Sequence, residues 1–177
     1  MYKLPIRHKR LLRGAAMLAL VLLWLPVAAQ PQALPIQVEA DNADWSQRSG
    51  VSNYNGNVVL TRGGLTLTGG KLTIKRINNR QNVQAELSGS PAHLDKQPDR
   101  EGDQVVTGHA RRIEYSNSDS ILTLRGGAVV ERAGGDRVTG QVIHYNLDTE
   151  RTRAESGSGD SDRVRITIQP DNSNGGP

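Results

Sequence analysis

The segment Leu67-Thr68-Gly69 recurs in this chain as Val106-Thr107-Gly108 and again as Val138-Thr139-Gly140. Each copy is soon followed by two apolar residues that are one position apart, as in Ile143 and Tyr145. An apolar residue, a threonine and a glycine ahead of renewed alternation are typical of a strand that ends or bends and then restarts. The copies are too irregularly spaced for a strict solenoid, but they predict one strand motif that is used repeatedly.

Short alternating runs fill the chain after Ala29, and helical periodicity is nearly absent there. Residues 36–40 alternate apolar and polar side chains, and residues 164–168 do the same near the other end. About a dozen such runs, spaced roughly 8 to 12 residues apart, predict an all-β body of the sandwich or jelly-roll type. No change in composition marks a boundary between two domains.

Glycine pairs interrupt these runs at residues 63–64, 69–70, 126–127 and 134–135. Because glycine tolerates positive φ, we interpret all four pairs as hairpin turns. Polar composition predicts exposed loops at residues 78–82, 96–103 and 156–162. A Gly- and Asn-rich tail, residues 170–177, is predicted to be disordered.

The first 29 residues have the pattern of a cleavable signal peptide. Basic residues precede an apolar run over residues 14–29, which closes on Val27-Ala28-Ala29. This pattern predicts cleavage after about Ala29 and export of a single domain, residues 30–169. The alternative is an uncleaved membrane anchor, but a 16-residue run interrupted by Pro26 is shorter than the roughly 20 residues that span a bilayer.

Removal of that segment changes the charge balance. The full chain has 22 Lys and Arg residues against 18 Asp and Glu, a net charge of +4. Loss of five basic residues leaves 17 against 18, a net charge of −1, so nucleic acid is not predicted as a partner. The chain has no cysteine, which excludes a disulfide scaffold, and the remaining length suffices for a single-domain core.

Residues with catalytic or metal-binding potential do not form a recognisable constellation. His93, His109 and His144 occur singly, without the spacing of metal ligands, and His144 alternates with apolar neighbours that would face the other way. The carboxylates lie mostly in predicted loops, and the sequence has no GxSxG, phosphate-loop or CxxC motif. We therefore predict a protein that is not an enzyme and has no cofactor or metal.

The period-2 pattern assigns one set of apolar side chains to the inner side of the predicted sheet. Its members are Ile36, Val38, Val58, Leu60, Leu65, Leu67, Leu72, Ile74, Leu87, Leu94, Ile113, Tyr115, Leu122, Leu124, Ile143 and Tyr145. This interior has no Phe, and its aromatic residues would be Trp45 and three Tyr. An aliphatic interior can leave an open trough, where burial of acyl chains gives about 0.8 kcal/mol per methylene. We expect lipid contacts from all members except Leu65, Leu87 and Leu122; the alternative is an ordinary filled β core.

The polar positions and the terminal strands predict two further surfaces. Six cations are predicted to point outward, where they are either solvated or in contact with lipid phosphates: Arg62, Lys71, Lys75, Arg76, Arg111 and Arg112. The terminal strands are predicted edges that can add a strand of another chain. The residues of these self-association edges would be Ile36, Val38, Val164, Ile166 and Ile168.

Seven motifs in order give the chain a family resemblance. They are Pro35-Ile36-Gln37-Val38-Glu39-Ala40-Asp41, Tyr54-Asn55-Gly56-Asn57-Val58, Gly89-Ser90-Pro91-Ala92-His93-Leu94, Gly108-His109-Ala110, Ile113-Glu114-Tyr115, Leu124-Arg125-Gly126-Gly127-Ala128 and Gly140-Gln141-Val142-Ile143-His144-Tyr145. A closing Arg163-Val164 leads to Ile168-Gln169-Pro170. Together they resemble the OstA-like family of periplasmic lipopolysaccharide-transport proteins.

The resemblance implies a twisted, slightly open β-jelly roll of repeated antiparallel strands whose apolar interior holds the acyl chains of lipid A. It also implies that such rolls stack end to end, through related domains, between an inner-membrane export complex and an outer-membrane translocon. Ile36 and Val38 would line the N-terminal opening, and Leu94 and Tyr115 would face the lipid further in. Relatives often have an aromatic residue where this chain has Leu94.

The leading hypothesis is therefore a periplasmic lipopolysaccharide carrier that makes and breaks no bond. One alternative is a structural or adhesive β-repeat protein with a filled core, which would bind no lipid. Another is a β-solenoid enzyme acting on polysaccharide, which would need paired carboxylates on one sheet face. No such pair is evident in the sequence.

Overall fold

The structure, a computed structural model, describes residues 34–77, 82–159 and 163–170, all within one compact unit. The predicted signal peptide lies outside the described residues, and so does the tail from residue 171 onward. The described residues form strands and turns without a helix.

Ten strands are present in this part of the chain. They are β1 (Gln37–Glu39), β2 (Asn42–Ser46), β3 (Val51–Arg62), β4 (Leu65–Ile77), β5 (Asn82–Lys96), β6 (Val106–Ser116), β7 (Ile121–Arg132), β8 (Arg137–Asn146), β9 (Thr152–Glu155) and β10 (Arg165–Thr167). All pairings are antiparallel, in the order β1-β3-β4-β5-β6-β7-β8-β10, with β2 also paired to β3 and β9 also paired to β8. The chain therefore forms a single sheet whose neighbours are mostly consecutive in sequence.

The six central strands are 10 to 15 residues long, so the prediction of about a dozen short strands was wrong. Residues 65–68 and 72–74, for example, were read as separate runs but both belong to β4. The interruption between such runs is a register shift within the strand and not a turn. A shift lets a strand bend sharply while its pairing continues on both sides.

Such shifts occur in all five pairings from β3 to β8, and they form a line across the sheet. The paired residues on either side of each shift are 55 and 58 in β3, 68 and 71 in β4, 88 and 92 in β5, 109 and 112 in β6, and 125 and 128 in β7. We call this the bend line. It divides the sheet into two halves, which we call wall A and wall B. Wall A comprises β1, β10 and residues 58–62, 65–69, 92–96, 106–110, 128–132 and 137–140. Wall B comprises β2, β9 and residues 51–55, 71–77, 82–88, 112–116, 121–125 and 142–146.

The glycine pairs divide between turns and the bend line. Residues 63–64 and 134–135 lie in the β3–β4 and β7–β8 turns, as predicted. Residues 69–70 and 126–127 lie inside β4 and β7, so their interpretation as hairpin turns was wrong. At the bend line, Gly126 and Gly127 have φ values of +83° and +64°, which residues with a Cβ rarely adopt. Glycine pairs therefore allow the chain to reverse in the turns and allow a strand to bend at the bend line.

Each wall carries continuous apolar rows on its inner face, because directly paired residues of antiparallel strands share a face. One row crosses wall A from β1 to β10: Val38, Leu60, Leu67, Leu94, Gly108, Val130, Val138 and Ile166. A row of wall B runs from β2 to β9: Ala43, Tyr54, Leu72, Leu87, Ile113, Leu124, Ile143 and Ala154. The edge strands thus continue the rows of the central strands.

The two walls cover each other. Leu60 and Leu94 of wall A are at most 2% exposed, and Leu72 and Ile113 of wall B are fully buried. A sheet face becomes this inaccessible only against a second layer, which here is the other half of the same sheet. The all-β prediction is confirmed: one antiparallel sheet folds along the bend line into a β-jelly roll. Opposite the bend line the walls end in turns, and we call this the open side because no strand pairing joins the walls there among the described strands.

Gly108 tests how closely the chain packs at the inner face of wall A. A Cβ at this position would lie 2.7 Å from the carbonyl oxygen of Val129 and 3.3 Å from Leu124 Cδ2. We expect Gly108→Ala to lower the free energy of unfolding by about 1–3 kcal/mol, because backbone must shift to admit the methyl group. Urea denaturation of the variant measures this change.

The matched control is Gly134→Ala, in the β7–β8 turn, where a Cβ would meet nothing within 4 Å. Its unfolding free energy should stay within about 0.5 kcal/mol of the parent. A Gly108→Ala variant as stable as this control would contradict the close packing of Gly108 against the Val129 carbonyl and Leu124.

Candidate functional site

The space between the two walls gathers the apolar residues that the sequence assigns to the inner face. Fourteen of the sixteen are buried, and the other two, Ile36 and Val38, are partly exposed and pack against the core from the N-terminal end. Lipid contact by these residues stays a prediction. The structure nevertheless brings all of them to one continuous surface.

Several inner-face residues were missed by the sequence analysis. Ala85, Ala92, Val106, Ala110, Ala128 and Val130 are buried in the same cluster. Most are small, so hydrophobicity alone gives them little weight. Their position in the period-2 pattern, next to residues that were assigned, is the sequence feature that could have found them.

The interior is closed by its own side chains. The largest of them, including Tyr115, Tyr145 and Leu60, are less than about 2% exposed. A ligand that enters between the walls must therefore replace contacts between side chains. This close packing is also what a filled β core would show, so burial alone does not separate the two hypotheses.

The interior becomes accessible at the C-terminal end of the sheet. A cavity of about 250 Å³ lies there among Val130, Val138, Ile166 and Ile168, with Arg132, Asp136 and Thr152 completing its lining. Ile166 and Ile168 are 63% and 74% exposed, which is unusual for isoleucine. The apolar surface of wall A therefore continues to the end of the sheet and is uncovered there.

The N-terminal end also exposes apolar side chains. Leu34 is 51% exposed and Trp45, on edge strand β2, is 57% exposed. The placement of Trp45 in the interior was wrong, because its ring lies outside the core with the guanidinium of Arg76 at 5.7 Å from the ring centroid. Both ends of the described sheet thus present large apolar groups to solvent.

Three cations lie on the inner face of wall A, two of them against prediction. Arg62 was expected to point outward, but its guanidinium carbon is 5.8 Å from the centroid of the buried Tyr115 ring. Lys96 was placed in an exposed loop, but it ends β5 and is 6% exposed, with Nζ 2.9 Å from Asp99 Oδ2. Arg132 Nη2 donates a hydrogen bond of 2.8 Å to the carbonyl oxygen of Glu150.

The three inner-face cations hold equivalent positions in their strands. Arg62, Lys96 and Arg132 each follow the period-2 pattern of their strand, two positions after Leu60, Leu94 and Val130. The pattern assigns all three to the inner face. Arg62 was instead predicted to point outward, and Lys96 was counted with the polar loop that follows it, whereas Arg132 was assigned to neither face. Long cationic side chains can lie along apolar surface while the charged group reaches a polar neighbour.

The Asp99 carboxyl is held ionised by these neighbours. Partial burial acts to raise the pKa of Asp99, but hydrogen bonds from Lys96 and from the Gly64 backbone N–H act against it, and the net pKa is lowered. The hydrogen bond from the Gly64 N–H to the Asp99 carboxylate links the loop after β5 to the turn between β3 and β4. The ends of these hairpins at the open side are thereby tied together.

Tyr115 is the interior residue with an unusual polar environment. It is 2% exposed, and its hydroxyl has no hydrogen-bond partner in the described part of the chain. Burial raises the pKa of Tyr115, while the nearby Arg62 charge acts in the opposite direction. A buried hydroxyl without a partner costs about 1–3 kcal/mol. A ligand atom that forms a hydrogen bond with the Tyr115 hydroxyl would remove this cost.

The outer faces of the walls are polar. Arg112 lies 3.3 Å from Glu86 and Arg125 lies 3.1 Å from Glu114, as exposed ion pairs across neighbouring strands. His144 is on this face, as expected, with its Nδ1 3.1 Å from Thr123 Oγ1. Lys71, Lys75, Arg111 and Arg112 are exposed there, and contact between them and lipid phosphates stays a prediction.

The described residues contain neither a metal-binding cluster nor a membrane-spanning helix. Across residues 34–77, 82–159 and 163–170, no group of three His, Cys, Asp or Glu side chains is arranged to hold a metal ion. The same ranges contain no helix with the length and apolar character needed to span a bilayer.

Fold and interior together define a class: single-sheet β-jelly rolls with a continuous apolar lining and exposed apolar ends. A family model described as LptA/(LptD N-terminal domain) LPS transport protein matches residues 37–151. The chain belongs to this family.

Individual proteins with similar sequences are components of lipopolysaccharide export systems. The lipopolysaccharide export system protein LptH of Pseudomonas aeruginosa is 29% identical over 141 residues, covering 77% of this chain and 79% of LptH. The export system proteins LptA of Haemophilus influenzae and of Escherichia coli K12 are 27% and 25% identical, over 77% of this chain and 77% and 71% of theirs. The crystal structure of LptH, the LptA-homologous periplasmic component of the lipopolysaccharide transport device of Pseudomonas aeruginosa, matches 77% of this chain and 96% of its own with a TM-score of 0.68.

The unpartnered hydroxyl gives a test that needs no ligand. We expect Tyr115→Phe to raise the free energy of unfolding by about 1 kcal/mol at pH 7, because the ring and its contact with Arg62 remain while a buried unsatisfied group is removed. Chemical denaturation measures the change.

The same variant has an expected pH dependence. The pKa of Tyr115 is raised in the folded state, so its contribution to stability is complete below the ordinary value of 10.0 and is lost as the pH rises above it. Between pH 9 and about 11, Tyr115→Phe should therefore lose less stability than the parent. Equal losses would show that this phenol titrates normally in the folded protein.

Proposed function

We propose that this protein is a periplasmic lipopolysaccharide carrier that works without catalysis and holds the acyl chains between its two walls. The observation that supports it most directly is the continuity of the inner apolar rows from one edge strand to the other. An ordinary core needs apolar residues in the middle of a sheet and polar ones at its margins. Here Ile166 keeps the row apolar up to an exposed edge.

Entry of the lipid requires the walls to separate at the open side. The bend line joins them by continuous strands, whereas the open side is held by side-chain contacts such as Arg62 with Tyr115 and Arg132 with the Glu150 carbonyl. These contacts are individually weak, so the open side is where separation costs least. Each methylene that then leaves water contributes about 0.8 kcal/mol.

The proposal extends to direction and partners. The carrier passes lipopolysaccharide from an inner-membrane export complex to an outer-membrane translocon, and it docks to related jelly-roll domains and to copies of itself through its ends. Terminal strands β1 and β10 each pair with one strand of the sheet, and the apolar Leu34 and Ile168 lie exposed near them. An edge of this kind accepts a further strand from a partner.

The alternative is a structural protein with a permanently filled core, which the complete burial of residues such as Leu60 and Leu124 favours. In that case the walls would never separate and no lipid would reach the inner rows. The two functions therefore differ in one measurable contact, that between lipid and the inner face.

A photo-crosslinking pair measures this contact. Val138 is half-buried on the inner face beside the 250 Å³ cavity, and Thr139 is its neighbour on the outer face. With a photoreactive residue at position 138, irradiation in the presence of lipopolysaccharide should give a lipid adduct on a denaturing gel, because acyl chains lie along that row.

The control is the same photoreactive residue at position 139, which should give at most a tenth of the adduct because it faces away from the interior. The filled core would be favoured if position 138 gave no adduct, or no more adduct than position 139, in protein whose far-ultraviolet circular dichroism spectrum is unchanged.

Self-association through the edges has its own test. We expect Ile166→Lys to abolish concentration-dependent oligomers in light scattering, because an inward-facing charge on an edge strand blocks the addition of another strand. Thr167→Lys is the matched control, since it places the same charge on the same strand but on the opposite face. Oligomers that persist in Ile166→Lys would remove β10 from the interface.

A further inference from the structure

The three inner-face cations of wall A belong to one row of the sheet. Arg62 is paired with Leu65, Leu65 with Lys96, Lys96 with Val106, and Val106 with Arg132. Directly paired residues share a face, so cations and apolar residues alternate across five neighbouring strands. Since neighbouring strands are about 4.8 Å apart, successive cations are spaced by about 10 Å. We call Arg62, Lys96 and Arg132 the cation row.

The cation row lies between the apolar interior and the open side. The next inner row, two residues nearer the bend line, contains Leu60, Leu94 and Val130. Beyond the cation row come the turns of wall A at residues 63–64 and 133–136 and the loop at 97–105. The wall thus changes from apolar to cationic where the interior meets solvent.

The charges of this row are incompletely neutralised. Lys96 has a carboxylate partner, Asp99. For Arg62 and Arg132, no carboxylate of the described residues lies within salt-bridge distance; Arg132 instead donates to the Glu150 carbonyl and, at 3.4 Å, to Thr152 Oγ1. By contrast, Arg112 and Arg125 on the outer face are both paired with glutamates. Arg62 and Arg132 are therefore inner-face guanidinium groups without a carboxylate partner among the described residues.

A second, independent observation points to a polar ligand at the same place. The hydroxyl of Tyr115, which is 2% exposed, has no hydrogen-bond partner in the described part of the chain, and its ring lies under the Arg62 guanidinium. Buried hydroxyl groups are almost always paired. An oxygen-rich group seated beside Arg62 would supply the missing partner.

We propose that the cation row binds the phosphate groups of the lipid headgroup, with Arg62 and Arg132 as the principal contacts and Lys96 between them. This rests on the proposed function, since acyl chains in the interior would bring the headgroup to the open side. A guanidinium presents paired donors that match phosphate oxygens, which a solvated lysine on the outer face does not. Because successive cations are about 10 Å apart, the row presents more than one place for a phosphate group.

The experiment compares three probes on the full chain: lipid A with both phosphates, the same lipid A with one phosphate removed, and inorganic phosphate. We expect the parent to bind bisphosphorylated lipid A about tenfold more tightly than the monophosphorylated form, as a charge-assisted hydrogen-bond pair would give. Of Arg62→Gln and Arg132→Gln, the variant that loses the contact to the removed phosphate should reduce this preference to about twofold or less, with the monophosphorylated lipid bound within twofold of the parent. The other variant should weaken binding of both lipids about tenfold, because it loses the contact to the phosphate that both lipids carry.

The matched control is Arg125→Gln, which removes an arginine of equal charge from the outer face of β7 and should keep the full preference. Circular dichroism verifies that each variant is folded. If Arg62→Gln does not fold, Arg132→Gln still tests the row, since it should either lose the preference or bind both lipids about tenfold more weakly.

Three results would overturn the proposal. The first is a parent that binds both lipids equally, and the second is a pair of variants, Arg62→Gln and Arg132→Gln, that both retain the preference and the affinities of the parent. The third is inorganic phosphate binding to the parent as tightly as lipid A, which would make the row a site for free phosphate. In all of these the parent still binds lipid, so the proposed carrier function stands; a parent that binds neither lipid refutes the carrier function as well.

Discussion

The bend line is the constraint on which the rest of this structure depends. Five successive strand pairs change register at corresponding points, and each change lets the sheet turn while strand pairing continues on both sides of it. If only one strand bent, its neighbours would lose their pairing. Because all of them bend together, a single sheet becomes both layers of its own sandwich, and the inner rows of wall A and wall B come to face one another.

This origin explains why the two sides of the roll differ. On the bend line, covalent chain and backbone hydrogen bonds hold the walls at a fixed distance. At the open side the walls meet through side chains, and there the residues are mixed: the aromatic ring of Tyr115, the guanidinium of Arg62 and the backbone carbonyl of Glu150. A roll with one stiff side and one adaptable side can admit a ligand without unfolding.

Much of the fold and of the inner face could be predicted from the sequence, because both follow from a period of two that Leu65, Leu67, Leu72 and Ile74 express clearly. The resemblance to a transport family was confirmed by the family model. The difference between a turn and a bend could not be predicted, since Gly63-Gly64 and Gly69-Gly70 have the same composition. Only the pairing partner on each side decides which one reverses the chain, and that information is not local.

The positions of two inner-face cations were predicted wrongly for the opposite reason. The local period-2 pattern was sufficient to place them on the inner face, but the prediction did not follow it. Arg62 and Lys96 stand in phase with their apolar neighbours, but charged residues are rarely found inside proteins. That general rule applies to the middle of a wall and not to its rim, where a long side chain can keep its methylenes in the interior and its charge at the boundary. Trp45 was misplaced by the same rule applied in reverse, because its size suggested a core that edge strand β2 does not reach.

The unbroken inner rows have a consequence for movement. Val38 on β1 and Ile166 on β10 are the two ends of one row, seven strand spacings or about 34 Å apart, and every position between them is aliphatic except Gly108. A hydrocarbon chain moved by one strand spacing would exchange each neighbour for a nearly identical one, so its free energy would change little from step to step. Such a track has no preferred stopping place and no built-in direction. Travel along it would be a one-dimensional random walk, and any net flux would have to come from a difference in occupancy between its two ends.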